Sequence, residues 1–204
     1  AFPSLRSSLR AIHFPESSGE AAAARRRLAY EEFFVLQLAM AMRRQRASFD
    51  IPGHAHHTDG QAVNALKSAI PFELTADQHA ALDDVFSDMS SARPMNRMLL
   101  GDVGTGKTAV AAFALVASAD SGTQAAMMAP TEVLAAQYAA KVGPWLDVAD
   151  VPWCLLTGST PAAERRRSLA SLADGTIKVA FGTHALIQED VVFQRLTLSI
   201  VDEQ

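Results

Sequence analysis

The eight residues Gly101-Asp102-Val103-Gly104-Thr105-Gly106-Lys107-Thr108 carry the clearest chemical signature in the chain. They follow the pattern G-x-x-x-x-G-K-[ST], between a short apolar run and a stretch of helical composition, and this is the context in which such a loop binds phosphate. Glycines let the backbone wrap a phosphate chain with its N–H groups turned inward, and the N-terminus of the following helix adds positive potential. Gly101, Asp102, Gly104, Thr105 and Gly106 would line that cradle. Lys107 would sit against the β- and γ-phosphates of ATP, and Thr108 would offer its hydroxyl to Mg²⁺. A second constellation lies at 198–203, where the apolar run Leu198-Ser199-Ile200-Val201 ends in Asp202-Glu203. A buried strand there can deliver Asp202 to the Mg²⁺ shell and place Glu203 as base for an attacking water. The plainer alternative is a solvated acidic strand end. The chain contains no [NT]-K-x-D segment to read guanine, which argues against a GTPase.

Phe72-Glu73-Leu74-Thr75-Ala76-Asp77-Gln78 admits two compatible readings. Thr75 and Gln78 have capping-box spacing for a helix running toward Met89. Gln78 can also both donate to and accept from an adenine edge, with Phe72 beside it. His54, His56 and His57 crowd one loop, but no cysteine or further histidine stands at ligand spacing from them, so a metal site is the weaker interpretation.

These residues need a scaffold, and the pattern from residue 95 onward supplies one. Apolar runs at 97–100, 124–129, 152–156, 177–181 and 196–201 alternate with helical stretches at about 107–119, 132–142 and 161–173, a βαβ repetition. The expected fold is α/β, a parallel sheet with helices on both faces, and ligands of such sheets gather at the carboxyl ends of the strands. Residues 20–46 read as one long helix. The loop-like 47–60 marks a boundary between a helical linker region, 1–60, and the nucleotide-binding domain, 61–204.

Bulk properties limit the possibilities further. The chain has 204 residues, 49% hydrophobic and 20% charged, which suits a folded globular domain with a smaller appendage. Its net charge of −4 gives no general cationic field, so nucleic acid must be met by local groups. Basic clusters at Arg25-Arg26-Arg27, at Arg43-Arg44 with Arg46, and at Arg165-Arg166-Arg167 are available, though for each taken alone a solvated helix face is the plainer explanation. Cys154 is the single cysteine; it excludes an intrachain disulfide and points to a reducing, cytoplasmic setting. Phe33 to Met42 falls well short of the ~20 residues that span a bilayer, and the N-terminus has no apolar signal segment. Ala1 and Gln204 look like cut points in a longer chain.

Taken in order, Phe72-Glu73-Leu74-Thr75 with Gln78, GDVGTGKT, Ala129-Pro130-Thr131-Glu132-Val133-Leu134-Ala135, Leu156-Thr157-Gly158-Ser159, Gly182-Thr183-His184-Ala185-Leu186 and Val201-Asp202-Glu203-Gln204 resemble the motifs of superfamily 2 helicases. Within that superfamily the combination is most similar to the RecG branched-DNA helicases, and residues 24–44 resemble the helix joining the wedge domain of that family to its motor. The motor of transcription-repair coupling factors is the near rival; Gln204 and the Ala-Pro-Thr-Glu segment favour RecG. The resemblance implies a RecA-like lobe, use of ATP and Mg²⁺, and forked or branched DNA as partner. It also implies that Pro130, Thr131 and Glu132 with Gly182, Thr183 and His184 face the DNA backbone, although Thr131 could merely cap a helix and His184 could be a satisfied strand-end histidine. A wedge domain before this region and a second RecA-like lobe after it are further implied, so that the isolated chain should turn nucleotide over very slowly. Leu100 departs from the Gln common in the family. A non-catalytic nucleotide-binding scaffold and a small-molecule kinase are the alternatives; Glu203 speaks against the first, and the ordered 130–132 and 182–184 segments against the second.

Overall fold

Residues 2–45, 52–102 and 104–202 are described by the computed structural model. The chain divides into two compact units, Ala1–Ile51 and Pro52–Gln204, so the break falls within the 47–60 loop, and residues 52–60 go with the second unit.

In the first unit, α1 (Leu5–His13) is capped by Ser4, whose hydroxyl accepts from the Ser7 N–H. It packs against α2 (Ser18–Gln45), the long helix expected from composition. Arg27 of the first basic cluster pairs with Glu31 one turn on, at 2.6 Å. Phe2, Tyr30 and Phe34 stack in series, with ring centroids 4.8 and 6.0 Å apart. No helix among the described residues is long and apolar enough to cross a membrane.

The second unit runs α3 (Gln61–Ala69), α4 (Ala76–Met89), α5 (Lys107–Asp120), β1 (Gln124–Met128), α6 (Glu132–Val148), β2 (Trp153–Leu156), α7 (Ala162–Ala173), β3 (Val179–Gly182), a short 3₁₀ turn (His184–Ile187) and β4 (Leu196–Val201). The four strands form one parallel sheet in the order β2-β3-β1-β4, the α/β fold expected. Side chains alternate across it as the two-residue period of a strand requires. Ala125 and Met127 of β1, Val179 and Phe181 of β3 and Leu198 of β4 join a main core with α3 to α6. Ala126, Ala180, Cys154 and Leu156 face a second core closed by Leu172 of α7 and Leu186 of the 3₁₀ turn. Helix α5 is buried from Ala109 through Ser118 with almost no interruption, as an all-apolar central helix must be.

Two expectations fail. Residues 97–100 form no strand. Arg97 is instead bound to Asp84 and Asp88 of α4, at 2.9 and 2.8 Å; Leu99 packs on the main core while Met98 and Leu100 stay exposed. A four-residue apolar run carries too little periodicity to tell a strand from a buried connector. Helix α6 does not end at 142 but continues through Gly143-Pro144 to Val148. Proline removes one helical hydrogen bond, at roughly 3 kcal/mol. The complete burial of Val142 and Leu146 on either side offsets that loss.

The 52–60 loop is anchored by a buried polar chain. The His56 imidazole meets the Met89 carbonyl (3.3 Å) and the Thr197 hydroxyl (2.8 Å), and Thr197 donates to Thr123, which also bonds Ser118. The clustered histidines thus include one with a structural task, and among the described residues no group of acidic, His or Cys side chains could hold a metal on its own. Burial lowers the His56 pKa below its ordinary 6.5; the Met89 bond opposes this shift and His54 adds to it. His54 is lowered likewise, by burial first and then by Arg195. Folding therefore favours neutral His56, and the stability this adds is present above about pH 6.5 and is lost as the pH falls through the depressed folded value. The melting temperature of the chain is expected to drop as the pH goes from 7.5 to 5.5. A flatter profile is expected for His56→Gln, which keeps a hydrogen-bonding group and cannot titrate. Parallel thermal melts of the two proteins check this.

Candidate functional site

The carboxyl edge of the sheet collects nearly every residue singled out by type and spacing. Each strand ends there in a segment of interest: β1 leads to Pro130-Thr131-Glu132, β2 to Thr157–Thr160, β3 to Thr183-His184 and β4 to Asp202. Helix α5 packs on β1 and β4 and joins β1 through a three-residue turn, so it runs antiparallel to the strands and its N-terminus points to the same edge.

At that N-terminus, Gly104 and Gly106 take φ of 88° and 81°, the left-handed region that glycine enters without strain. Lys107 curls back over the loop, its Nζ donating to the Gly101 and Asp102 carbonyls at 2.6 and 3.0 Å. Thr105 closes the turn through its hydroxyl to the Asp102 carbonyl, at 2.9 Å. A Cβ at Gly101 would stand 2.8 Å from the Thr105 hydroxyl. Thr108 lies half-buried in the first turn of α5, which holds no acidic residue. Small residues, helix-end N–H groups and an ammonium on a long stem fit a polyphosphate ligand. Val103 lies outside the described residues.

Both readings of Gln78 depend on its carboxamide, and the structure engages both ends of it. Its Oε1 accepts from the Thr75 N–H at 2.9 Å, completing the capping box of α4, while its Nε2 donates to the Thr105 carbonyl at 2.7 Å. Gln78 thus ties the start of α4 to the phosphate loop. Phe72 sits against Trp145 of α6, ring centroids 6.0 Å apart.

Asp202 follows β4 directly. Its N–H donates to the Met128 carbonyl at 3.0 Å, and its Oδ2 accepts from the Tyr138 hydroxyl of α6. Glu203 and Gln204 lie outside the described residues. Thr131 caps α6 by accepting from the Leu134 N–H. Glu132 accepts from the N–H and hydroxyl of Ser159, at 3.1 and 2.6 Å, so that two candidate segments are locked together. Thr183 is buried as the cap of the 3₁₀ turn and leaves His184 exposed. Sequence reasoning missed Tyr138, for no local pattern links it to a carboxylate 64 residues away.

A cavity of about 670 Å³ lies elsewhere, between α6, α7 and β2, with Ala140, Trp153, Cys154 and Arg167 among its lining, and shares no residue with the loop. Burial pushes the Cys154 thiol up to about 12, so it is no nucleophile at neutral pH. Of the third basic cluster, Arg165 is bound to Asp190 and Gln188.

Comparison with known proteins places this geometry. The model of the DEAD/DEAH box helicase family matches residues 75–204. The ATP-dependent DNA helicase RecG of Synechocystis is 43% identical over 200 residues, covering 98% of this chain and 24% of the relative. RecG of Bacillus subtilis is 43% identical over 202 residues, covering 99% and 30%. A solved structure of RecG bound to a three-way DNA junction superposes with a TM-score of 0.84 at 40% identity, covering 97% of this chain and 27% of that one. The similarity to RecG read from the motifs therefore extends along nearly the whole sequence, and the sheet is that of a RecA-like lobe. The chain spans about a quarter to under a third of the length of the curated relatives it matches.

Gly106→Ala tests the loop geometry. The left-handed φ alone costs about 1–2 kcal/mol for alanine, and the new Cβ would lie 2.2 Å from Gln78 Nε2, forcing that amide off the Thr105 carbonyl. Urea unfolding should show Gly106→Ala destabilised by at least that amount. The Gly106→Ala/Gln78→Ala double variant should be less destabilised than the sum of the singles, because they share one contact.

Proposed function

Because the chain belongs to the DEAD/DEAH box helicase family, we propose that it is the nucleotide-binding part of a cytoplasmic, ATP-driven DNA motor that remodels forks and Holliday junctions in recombination and repair. The observation that carries this is the gathering, on one edge of the sheet, of the 101–108 loop, Asp202 and the 130–132 and 182–184 segments. The high similarity to RecG, including a form bound to a three-way DNA junction, supports branched DNA as the partner.

In this reading the 101–108 loop and Lys107 hold the phosphates of ATP, Gln78 and Phe72 border the base, and Thr108 with Asp202 holds Mg²⁺. The bound nucleotide supplies a phosphoanhydride whose hydrolysis drives movement. Lys107, already directed over the loop, offsets negative charge at the terminal phosphate. Glu203, next to Asp202, takes the proton of the attacking water. Thr131 at the N-terminus of α6, Glu132, Pro130 and the Gly182-Thr183-His184 turn, through its exposed His184, contact the sugar-phosphate backbone, where backbone N–H groups and helix ends serve without a basic surface. The wedge domain and second RecA-like lobe of the full-length protein complete the fork grip and the catalytic charge.

Four results are expected. Full-length protein hydrolyses ATP faster with forked DNA than with linear duplex, and an equal response to both would refute the branched-DNA assignment. Lys107→Ala abolishes nucleotide binding in a fluorescent-ATP titration. Glu203→Gln retains binding but lowers turnover by about 10²-fold or more; unchanged turnover would favour a scaffold role. The 204-residue chain alone should show only trace ATPase activity, with or without DNA.

A further inference from the structure

The Asp202 carboxylate is held from the side of α6 by a residue with no part in the roles above. Tyr138 stands six positions beyond Glu132, its ring packed against the main core and its hydroxyl donating to Asp202 Oδ2. The main chain of Asp202 is fixed independently, through its N–H to the Met128 carbonyl of β1. Backbone and side chain are thus anchored by two different elements. A hydroxyl bound to an ionised carboxylate is a charge-assisted contact. It occupies one lone pair of Oδ2, and a carboxylate has about four acceptor sites in all, so this contact does not exhaust its capacity to meet a metal shell.

Helix α6 makes a firm mount for that hydroxyl. Its start is capped by Thr131 and clasped to Ser159 through Glu132, and its far end is locked by the Asp147 carboxylate accepting from the Trp153 indole at 2.8 Å. Over the six residues from Glu132 to Tyr138 the helix advances only about 9 Å.

We propose that Tyr138 is the positioning residue for Asp202, fixing the orientation in which the carboxylate meets the magnesium of a bound nucleotide. Outer partners of metal-binding carboxylates work in this way, and losing one typically costs about 10–100-fold in metal affinity. The inference rests on the nucleotide-site reading above and adds a residue to it.

Tyr138→Phe in the full-length protein removes the hydroxyl and leaves the ring in the core. Binding of a fluorescent ATP analogue, titrated with magnesium, should need about tenfold more Mg²⁺ for half-maximal effect. Affinity for the analogue in EDTA and the melting temperature should stay at wild-type values. An unchanged magnesium requirement overturns the proposal, and so does a weakening of equal size in EDTA. A double-variant cycle guards against a purely structural effect. If Tyr138 acts through Asp202, adding Tyr138→Phe to Asp202→Asn changes the magnesium requirement no further, whereas additive effects refute the link. Wild-type protein that binds no analogue at all would refute the nucleotide site itself, and this inference with it.

Discussion

The parallel pairing of β1 with both β3 and β4 is the constraint on which the site depends. At its carboxyl end β1 is bonded on both sides: the Met128 carbonyl accepts from Asp202, and the Ala129 N–H donates to the Gly182 carbonyl at 2.9 Å. Those two hydrogen bonds set the relative heights of the acidic strand end, the Pro130–Glu132 segment and the Gly182–His184 turn. Register in a sheet buried on both faces is strongly specified, because a slip of one residue would exchange the two cores. Ala125 and Met127 cannot trade places with Ala126 without placing a methionine in the smaller core of Ala180, Cys154 and Leu186. Core packing thus fixes the position of residues that take no part in the core.

The phosphate loop is tied to this frame by α5. A helix buried on nearly all sides cannot rotate or slide without opening cavities, and cavities are costly in a close-packed interior. Phe113, Leu115 and Val116 are almost wholly buried, so the first turn of α5, with Lys107 and Thr108, inherits its place from the middle of the helix. Gln78 adds a second tie from α4, and α4 in turn grips the segment before the loop through Arg97. The loop is held at three points by groups that are not themselves in it.

How much of this was legible in the sequence follows from the range of each interaction. The 101–108 loop could be read because glycine freedom and helix-end N–H groups are local properties, fixed by spacing over eight residues. The Thr75–Gln78 capping box was legible for the same reason. The strand at 124–128 was betrayed by the apolar run that a buried parallel strand demands; 196–201 was read by the same rule, but β4, last in the strand order, buries only Leu198 and delivers Asp202 from a half-exposed strand instead of the buried one expected. Arg97–Leu100 misled, since its apolar character reflects one side chain, Leu99, packed on the core and not a strand. Helix α3 was passed over because it is only nine residues long, shorter than the window over which helical periodicity is read, yet Val63 and Leu66 are fully buried. Tyr138 was invisible for a different reason: only the fold brings it to Asp202.

An acidic chain that meets a polyanion needs its negative groups turned to other uses at the contact, and the carboxyl edge manages this with hydrogen bonds. Glu132 stands in the first turn of α6, where a carboxylate interacts well with the helix dipole but would repel a phosphate approaching the same N–H groups. Its two oxygens accept from Ser159, which turns the charge toward the β2 turn. Asp202 is likewise engaged by Tyr138, and Asp190 by Arg165. Among the described residues of this edge, Pro130, Thr131 and His184 stand exposed beside Glu132 and Asp202, whose carboxylates are engaged by neighbours. On the proposed reading, the net charge of −4 is no obstacle to DNA, because short-range donors at one edge meet the backbone while distant surface charge is screened within about 8–10 Å.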